Sequence, residues 1–521
     1  MRATGFENFR RFIEFPRLEL GEITLMVGAN NSGKSTFVKA LLLGINYLKN
    51  GKLDEFSFSD KFIDTANVAT FNRAFCQHQE ALQRKTIKFT FELENFLVVL
   101  EISGGEYSIG DVDFLGVYSI NGSVLFTFAF ANNTLSIRKD APENKNENSQ
   151  EQRIASINKE IDHLNSSVKL FEIGSKEYFE VVNNIQRLEE LKEKIGEIKE
   201  RGDEKFIYNK QITFSDENEL ANFTMSKAVE EYLSLAKIDK ALINQKIKEE
   251  TSDQIIDSLK EEIETINNVF AQSTELYKVV DEFEEAISDI TYYYWAAEPK
   301  KQSALFFARD KENALAQAIH DFYQHKILKG EYEYRWMMKW MNLFEIGEDI
   351  NITLHAGEAY EVDIIEDYVK WISLADKGMG SIQVMTLLFR LASIIRKHGK
   401  KGKGITLIVE EPELNLHPKL QSLLADLFFE VNKTYGIRFI VETHSEYLIR
   451  RTQVIVANEN YKDQKDVDEN NKFRVYYFPK KEIPYSMGYT QNGRFIEKFE
   501  EGFFDEAGKW HLEIIKKERG L

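Results

Sequence analysis

The sequence predicts an α/β fold: a parallel sheet with an antiparallel β subdomain beside it and an inserted helical region. Three patterns lead to this prediction. A glycine-rich loop at residues 28–35 lies between an apolar strand pattern at 24–27 and a helical pattern from Lys34 onward. A buried-strand pattern at 405–409 ends in two carboxylates. Alternating segments and long helical patterns separate these two ends, which indicates that one core is interrupted by inserted structure.

The loop at residues 28–35 fits the G-x-x-x-x-G-K-[ST] pattern that binds phosphate groups. Its glycines, Gly28 and Gly33, let the backbone curl so that N–H groups point at phosphate oxygens, and the helix N-terminus adds a positive dipole end. Lys34 then neutralises β/γ-phosphate charge and the Ser35 hydroxyl holds Mg²⁺. The residues expected to bind the nucleotide are Asn30, Asn31, Ser32, Gly33, Lys34, Ser35 and Thr36.

An antiparallel sheet is predicted to complete an N-terminal lobe at residues 1–140. Residues 87–93 alternate between apolar and polar side chains, and the apolar segment 124–130 follows an Asn-Gly turn signal. A polar linker then leads into residues 157–198, where apolar residues at helical spacing flank Gly174. We interpret residues 141–205 as a helical hairpin forming a short coiled-coil arm, and the alternative is a pair of amphipathic helices packed on the body.

The chain from residue 206 to 345 is predicted to be a helical insertion, because charged, amphipathic patterns dominate it. Aromatic clusters at 292–295 and 334–340 are interpreted as core or interface packing rather than as platforms for base stacking. Strand patterns at 350–354 and 368–372 begin a C-terminal lobe at residues 346–521.

Two carboxylates, Glu410 and Glu411, follow the buried strand of the C-terminal lobe. They lie at the carboxyl edge of the sheet, where ligands of open α/β sheets bind. Glu410 can reach Mg²⁺ directly or through water, and Glu411 can orient or deprotonate an attacking water. The two halves of one nucleotide site are therefore expected at opposite ends of the chain.

The composition predicts a folded protein of several structural units. The chain has 521 residues, 43% of them hydrophobic, and no apolar run of the roughly 18 residues that a membrane helix needs. The N-terminus lacks the apolar region of a signal peptide, and the single cysteine, Cys76, allows no intramolecular disulfide. We therefore expect a cytoplasmic protein that makes no membrane contact.

The net charge of −18 argues against a surface devoted to nucleic acid. The densest basic cluster, at residues 396–403, is interleaved with glycines and is interpreted as a solvated loop from helix to strand. Contact with a phosphate backbone is the alternative interpretation of this cluster.

Several motifs together resemble the ABC-type ATPases of the overcoming-lysogenization-defect, RecF and SMC group. They are Asn8-Phe9-Arg10 before the first predicted strand, the phosphate loop, the run at residues 410–418, and Glu442-Thr443-His444-Ser445 after a buried strand. The resemblance covers both terminal regions and implies an ABC-type P-loop ATPase head that binds and hydrolyses ATP. It further implies that Arg10 contacts the nucleotide, that His444 is the switch histidine at the γ-phosphate, and that residues 412–417 meet an opposite subunit. The implied catalytic residues are Glu411, His444 and Lys34.

Such ATPases enclose ATP between two heads, and the resemblance places their signature element at residues 376–383. By this likeness Gly378, Gly380 and Ser381 would contact the nucleotide held by a partner head. The sequence has Gly378 where relatives often carry serine, and Glu410 where many carry aspartate, so we expect slow hydrolysis with binding retained. The glutamine that senses Mg²⁺ in the family would be Gln77 or Gln79.

The predicted function is that of an ATP-binding and ATP-hydrolysing subunit of a bacterial anti-phage defence complex. It resembles Septu or PARIS ATPases, whose heads pair around ATP to control a separately encoded effector nuclease. The stretch after His444 is too short for a further nuclease domain, and Asp466-Val467-Asp468 is interpreted as a solvated loop rather than a two-metal site. DNA or a phage component is a further candidate partner. The alternatives are a RecF- or SMC-like DNA-repair ATPase that clamps DNA directly, and a nucleotide-regulated scaffold with negligible turnover.

Overall fold

The structure is a computed structural model, and it describes most of the chain in two compact units. The described residues are 1–50, 52–59, 68–79, 85–122, 124–131, 134–138, 209–213, 225–249, 253–296, 305–311, 313–367, 370–399 and 404–518. The first unit comprises Met1–Asp113 and Glu282–Leu521, and the second comprises Phe114–Asp281. The predicted polar linker and the helical hairpin at 157–198 lie outside the described residues.

The described chain contains both strands and helices. The strands are β1 (Ala3–Phe9), β2 (Phe12–Glu19), β3 (Ile23–Gly28), β4 (Glu55–Ser57), β5 (Ile87–Glu92), β6 (Phe96–Ser103), β7 (Ile109–Ser119), β8 (Val124–Ala131), β9 (Thr134–Arg138), β10 (Asn209–Thr213), β11 (Thr291–Trp295), β12 (Phe306–Phe307), β13 (Asp349–His355), β14 (Ala359–Glu366), β15 (Lys370–Ser373), β16 (Ile405–Glu410), β17 (Arg438–Thr443), β18 (Phe473–Phe478) and β19 (Tyr485–Met487). The helices are α1 (Lys34–Asn50), α2 (Phe71–Ala74), α3 (Met225–Glu249), α4 (Asp253–Ser288), α5 (Ala314–Gln324), α6 (Tyr332–Leu343), α7 (Met379–His398), α8 (Pro418–Tyr435), α9 (Glu446–Asn458), α10 (Gln464–Asn470) and α11 (Glu506–Glu518).

The centre of the first unit is a mostly parallel sheet in the order β11-β16-β17-β3-β18-β19, in which only β19 is antiparallel to its neighbour. Its inner strands are buried on both faces, as the continuous apolar runs predict. The order brings β3, near the start of the chain, between β17 and β18, near its end. The carboxyl ends of these strands therefore meet at one edge.

Two further sheets belong to the same unit. In one, β1 pairs with β2 and β5, and β5 pairs with β6, all antiparallel. This confirms the predicted antiparallel subdomain, and Phe6, Phe9, Phe15 and Phe89 pack as aromatic pairs within it. In the other, β14 pairs with β12, β13 and β15.

The Asn8-Phe9-Arg10 motif was expected to precede the first strand. Instead it lies at the end of that strand. Asn8 and Phe9 are the last residues of β1, and Arg10 lies in the tight turn to β2. Asn8 and Arg10 have φ values of 56° and 54°, so this turn uses the left-handed region at two non-glycine positions. The sequence analysis did not predict this hairpin, whose strands contain Gly5 and Pro16, residue types that are uncommon in strands.

The helical insertion expected at residues 206–345 also contains strands. β10, β11 and β12 fall inside it, and β11 pairs in parallel with β16 in the central sheet. The cluster Tyr292 to Trp295 was interpreted as aromatic packing, yet aromatic residues also favour strands. The division between compact units lies at residues 281 and 282, within α4, and not at residue 345.

The described part of the second unit contains antiparallel strands and a pair of helices. The end of β7 pairs with β8, β8 with β9, and β9 with β10. Ala236 and Ile243 of α3 pack with Ile266 of α4 in one buried cluster. The apolar spacing of these helices matches the amphipathic pattern expected for this part of the chain.

Helix α7 lies in the hydrophobic core of the first unit. It packs against α5 and α6, with the rings of Phe322 and Phe389 5.0 Å apart. By length and composition α7 could cross a membrane, but 78% of that helical stretch is buried inside the protein. Its apolar composition is accounted for by its place in the core.

Candidate functional site

The phosphate loop connects β3 to α1, as its sequence predicts. Gly33 has a φ of 107°, a conformation that side chains rarely adopt, and a Cβ there would overlap the ring of Phe12. At Gly28 a Cβ would overlap the backbone carbonyl of Phe478 in β18. Both glycines are therefore required by geometry, and the loop is held from the N-terminal and the C-terminal ends of the chain.

The loop lines a cavity of about 490 Å³ whose walls are strongly cationic. Of the described residues, the lining side chains are Arg10, Arg11, Asn31, Ser32, Gly33, Lys34, Ser35, Thr36, Lys39, Arg73, Phe75, Gln77, His78 and Glu442. Burial, and then repulsion from Arg73, lowers the pKa of Arg10. Five basic groups facing one carboxylate favour a multiply charged anion.

Lys34 points into the loop and is almost completely buried, with 3% of the residue exposed. Its Nζ donates to the carbonyl oxygens of Gly28 and Ala29, both at 3.1 Å. The same Nζ lies 3.7 Å from Oε1 of Glu442. Burial lowers the pKa of Lys34, and the Glu442 carboxylate opposes this shift.

Glu442 is one of the cavity-lining residues to which the sequence prediction assigned no role; the others are Arg11, Lys39, Arg73, Phe75 and His78. It lies on β17 beside Glu410 of β16 in register, and 4% of it is exposed. Its Oε1 accepts a hydrogen bond of 3.0 Å from the Ser35 hydroxyl, while its Oε2 is buried without a hydrogen-bond partner. Burial raises the pKa of Glu442 to about 7. The signal in the sequence was its position, two residues before His444 at the end of a buried strand.

Glu411 and His444, the predicted base and switch histidine, lie close together. His444 Nε2 is 3.6 Å from Oε1 of Glu411, and the ligand atoms of these two residues and Glu442 all lie within 4.8 Å of one another. Burial lowers the pKa of His444 to about 4, so its imidazole is neutral near pH 7. Glu411 has a φ of 43°, and its N–H donates to the Glu442 carbonyl oxygen at 2.7 Å, which fixes the start of the loop after β16.

The loop after β16 supports this group from behind. Glu413 is 6% exposed, and its Oε1 accepts a hydrogen bond of 2.5 Å from the backbone N–H of His444. Burial raises the pKa of Glu413. The histidine backbone is thus held by a side chain of the segment that the resemblance assigned to subunit contact.

The remaining predicted site residues do not all line the cavity. Arg10 and Gln77 line it, whereas Asn30, Gln79, Glu410, Glu411 and His444 are not among its lining residues. Gly378, Gly380 and Ser381 lie at the N-terminus of α7 and are also outside the lining. The site of one chain is therefore built without its signature segment.

The N-terminus of α7 nevertheless contacts the loop after β16. A Cβ on Gly380 would lie 2.5 Å from the carbonyl oxygen of Asn415, so only glycine permits this approach. The Gln383 side chain donates to the carbonyl oxygen of Glu411 at 2.9 Å. Gly378, by contrast, is the N-cap, and a Cβ there would meet no heavy atom within 4 Å.

Asp466 and Asp468 lie on α10 and not in a loop, contrary to the prediction. Asp463 caps this helix by accepting from the N–H of Asp466, and Val467 is buried. Asp466 accepts hydrogen bonds from the Lys462 N–H and the Asn470 side chain. Across the described ranges, the group of side chains spaced to hold a metal ion is Glu411, Glu442 and His444.

The residues of the phosphate loop, together with Glu442, fit a nucleotide and a divalent cation. The helix N-terminus and Lys34 offer donors to phosphate oxygens, and Ser35 and Glu442 offer oxygen ligands of the kind that Mg²⁺ prefers. The unpartnered Oε2 of Glu442 is a buried acceptor that a cation would satisfy.

Comparison with known proteins gives one family and several distant structures. Residues 6–449 match the model of a family described as AAA ATPase domain. The chain is similar to an Smc head domain with an extended coiled coil from Pyrococcus furiosus, bound to the C-terminal domain of ScpA, with 12% identity, 99% of each chain covered and a TM-score of 0.35. It is also similar to an Smc head bound to the winged-helix domain of ScpA and to an Smc head with coiled coil and joint from Pyrococcus yayanosii. In each of these two matches the identity is 10%, and the match covers 94% of this chain and 97% of the similar structure. The TM-scores are 0.36 and 0.35. No curated protein matches the sequence.

Proposed function

The chain belongs to the AAA ATPase domain family, and from this premise we propose that it is an ATP-driven switch whose heads pair around ATP to control a separate effector. The observation that carries the proposal is the cationic cavity at the phosphate loop, next to the neighbouring pair Glu411 and His444. The cavity supplies binding, and the pair supplies the groups needed for hydrolysis. ATP and Mg²⁺ are the proposed ligands.

Each side chain of the site has a distinct role in this proposal. Lys34 and the N–H groups of the loop bind the β- and γ-phosphates, and Arg10 adds a cation at the cavity wall. Glu411 orients and deprotonates the attacking water. His444, neutral near pH 7, donates a hydrogen bond to the γ-phosphate. Bound Mg²⁺ supplies Lewis-acid stabilisation of the phosphate charge.

Pairing of heads is supported by the position of the signature segment. Gly378 to Ser381 lies outside the cavity of its own chain, at the start of the 20-residue helix α7, and its N-cap Gly378 has open space around it. Its N–H groups suit the γ-phosphate of a second head. Gly380 and Gln383 contact the loop that carries Glu411. Docking of this segment on the ATP of a second head would therefore be transmitted to Glu411, the proposed base of its own head.

The pairing is tested by measuring mass in solution with and without ATP and Mg²⁺. Glu411→Gln should bind ATP, lose turnover by roughly 10²–10⁴-fold, and accumulate as a dimer. Adding Gly378→Tyr to this variant should abolish the dimer while the single head still binds ATP, because the side chain has room within its own head. Lys88→Ala, on β5 away from the cavity, is the matched control. A dimer that persists with Gly378→Tyr contradicts the pairing.

The effector is proposed to be a nuclease encoded beside this chain, in an anti-phage defence complex. We expect the two products to co-purify, and their association to change between ATP and ADP. If the isolated protein instead binds DNA tightly with a steep salt dependence, the DNA clamp replaces this proposal. The net charge of −18 weighs against that outcome.

A further inference from the structure

The structure places a carboxylate that the sequence motifs do not assign, Glu442, against the hydroxyl of the phosphate loop. We propose that Glu442 is a direct ligand of the Mg²⁺ ion that accompanies the nucleotide. This inference rests on the proposed function and deepens it, since it names the residue that recognises the metal. Glu410, the strand-end acid expected to reach Mg²⁺, is its neighbour in register on β16 but does not line the cavity.

The distance between the two oxygens is the first argument. Ser35 Oγ and Glu442 Oε1 are 3.0 Å apart. Two oxygens that bind one Mg²⁺ at right angles, each at about 2.1 Å, lie roughly 3 Å apart. The side chains are therefore already spaced as neighbouring ligands of an octahedral ion, and binding would replace the hydroxyl hydrogen bond without moving either group.

The burial of Glu442 is the second argument. The residue is 4% exposed, and its Oε2 has no hydrogen-bond partner in the described part of the protein. A buried carboxylate without full partners costs folding free energy unless a cation compensates it. Lys34 compensates only in part, because its Nζ is 3.7 Å from Oε1 and bonds the carbonyls of Gly28 and Ala29.

The competing explanation is that Glu442 only neutralises Lys34 until ATP arrives. The two explanations differ in how the affinity for ATP with Mg²⁺ changes. Removing a mere counter-charge would strengthen ATP binding both with Mg²⁺ and with EDTA, because it removes repulsion of the phosphates. Removing a metal ligand would weaken the affinity with Mg²⁺, and so lower the ratio of that affinity to the affinity with EDTA.

The experiment measures the binding of a fluorescent ATP analogue to the full chain with EDTA and with Mg²⁺. Glu442→Gln should lower the ratio by about 10-fold or more, as disruption of metal-site ligation commonly does. Glu410→Gln, the matched substitution on the neighbouring strand, should keep most of the native ratio between the affinity with Mg²⁺ and the affinity with EDTA. A native ratio in Glu442→Gln, a ratio lowered only by stronger binding in EDTA, or a larger loss in Glu410→Gln overturns the proposal.

A cysteine exchange tests the same contact with a change of metal. Glu442→Cys should lose the Mg²⁺ effect and regain tight ATP binding with Cd²⁺, because thiolates prefer softer metals. Glu410→Cys should show no such gain, and the native Cys76 is buried. Absence of Cd²⁺ rescue in folded Glu442→Cys contradicts direct ligation, and melting curves verify folding if the glutamine variant is unstable.

Failure of this inference and failure of the proposed function give different results. If the native protein binds ATP and Mg²⁺ strengthens that binding, while Glu442→Gln retains the whole effect, only the role of Glu442 is wrong. If the native protein binds ATP neither with Mg²⁺ nor with EDTA, the proposed function itself fails.

Discussion

Glu442 and His444 lie two residues apart, and burial shifts their pKa values in opposite directions. The pKa of Glu442 is raised to about 7 and that of His444 is lowered to about 4, because a low-dielectric setting disfavours the charged form of each. The contact of His444 with Glu411 is therefore between a neutral imidazole and a carboxyl group near pH 7. Burial at the end of β17 and just beyond it, acting on an acid and a base, sets these protonation states.

The raised pKa of Glu442 predicts a pH-dependent stability difference between the native protein and Glu442→Gln. The group ionises near 4.5 when unfolded and near 7 when folded, so the native protein loses stability as pH rises through this window. Glutamine cannot ionise, so the variant should gain up to about 3 kcal/mol relative to native between pH 4.5 and 8. Denaturant unfolding without nucleotide or divalent metal measures this.

The opposite effect of His444 is present in both proteins and cancels in the comparison. His444 ionises near 6.5 when unfolded and near 4 when folded, so its contribution makes the protein more stable as pH rises through that window. A difference between Glu442→Gln and native that stays constant from pH 4.5 to 8 would show that Glu442 titrates normally.

At the scale of elements, α1 shows how close packing overrides helix propensity. Gly44 lies buried in the middle of this helix, and a Cβ there would overlap the ring of Phe91 on β5. Alanine normally stabilises a helix interior by about 1 kcal/mol over glycine. Here the contact with the antiparallel sheet requires the smaller residue.

Gly44→Ala is therefore expected to lower the free energy of unfolding, since overpacking costs about 1–3 kcal/mol and exceeds the gain in propensity. The matched control is Gly508→Ala in α11, where a Cβ meets no heavy atom within 4 Å and a gain of up to about 1 kcal/mol is expected. Thermal melts compare the two. Equal effects of the two substitutions would contradict the packing argument.

At the scale of the whole molecule, the central sheet joins the two ends of the chain. β18, beyond residue 449 where the family match ends, pairs with β3 over its full length, and Phe478 packs against Gly28. Arg11 also donates to the carbonyl oxygens of Asn31 and Lys480. The phosphate loop thus depends on a segment outside the matched region.

Removing residues 471–521 is predicted to abolish ATP binding, because β3 would lose one of its two neighbours in the sheet. Removing only residues 506–521 is the control, since it deletes α11 and keeps the aromatic packing of Phe499, Phe503 and Phe504 near Tyr477. Nucleotide affinity and soluble yield are the measurements. Normal ATP binding by the longer truncation would show that β18 is dispensable.

Local patterns predicted much of this architecture. The strand before the phosphate loop, the helix after it, the alternating strand at residues 87–92 and the strand ending at Glu410 are all confirmed. Each has a periodicity or a turn signal within a few residues. The strand β11 was missed because four consecutive aromatic residues do not distinguish an edge strand from a packed cluster.

The sequence by itself determined the chemistry available: a phosphate loop with Lys34 and Ser35, paired acids at a strand end, and a histidine at another. Only the tertiary structure decided which of these groups meet. Glu442 contacts Ser35 because β17 lies beside β3, although 407 positions separate them in the chain. Burial at that edge then sets the pKa values. Such contacts depend on strand order, which no local pattern encodes.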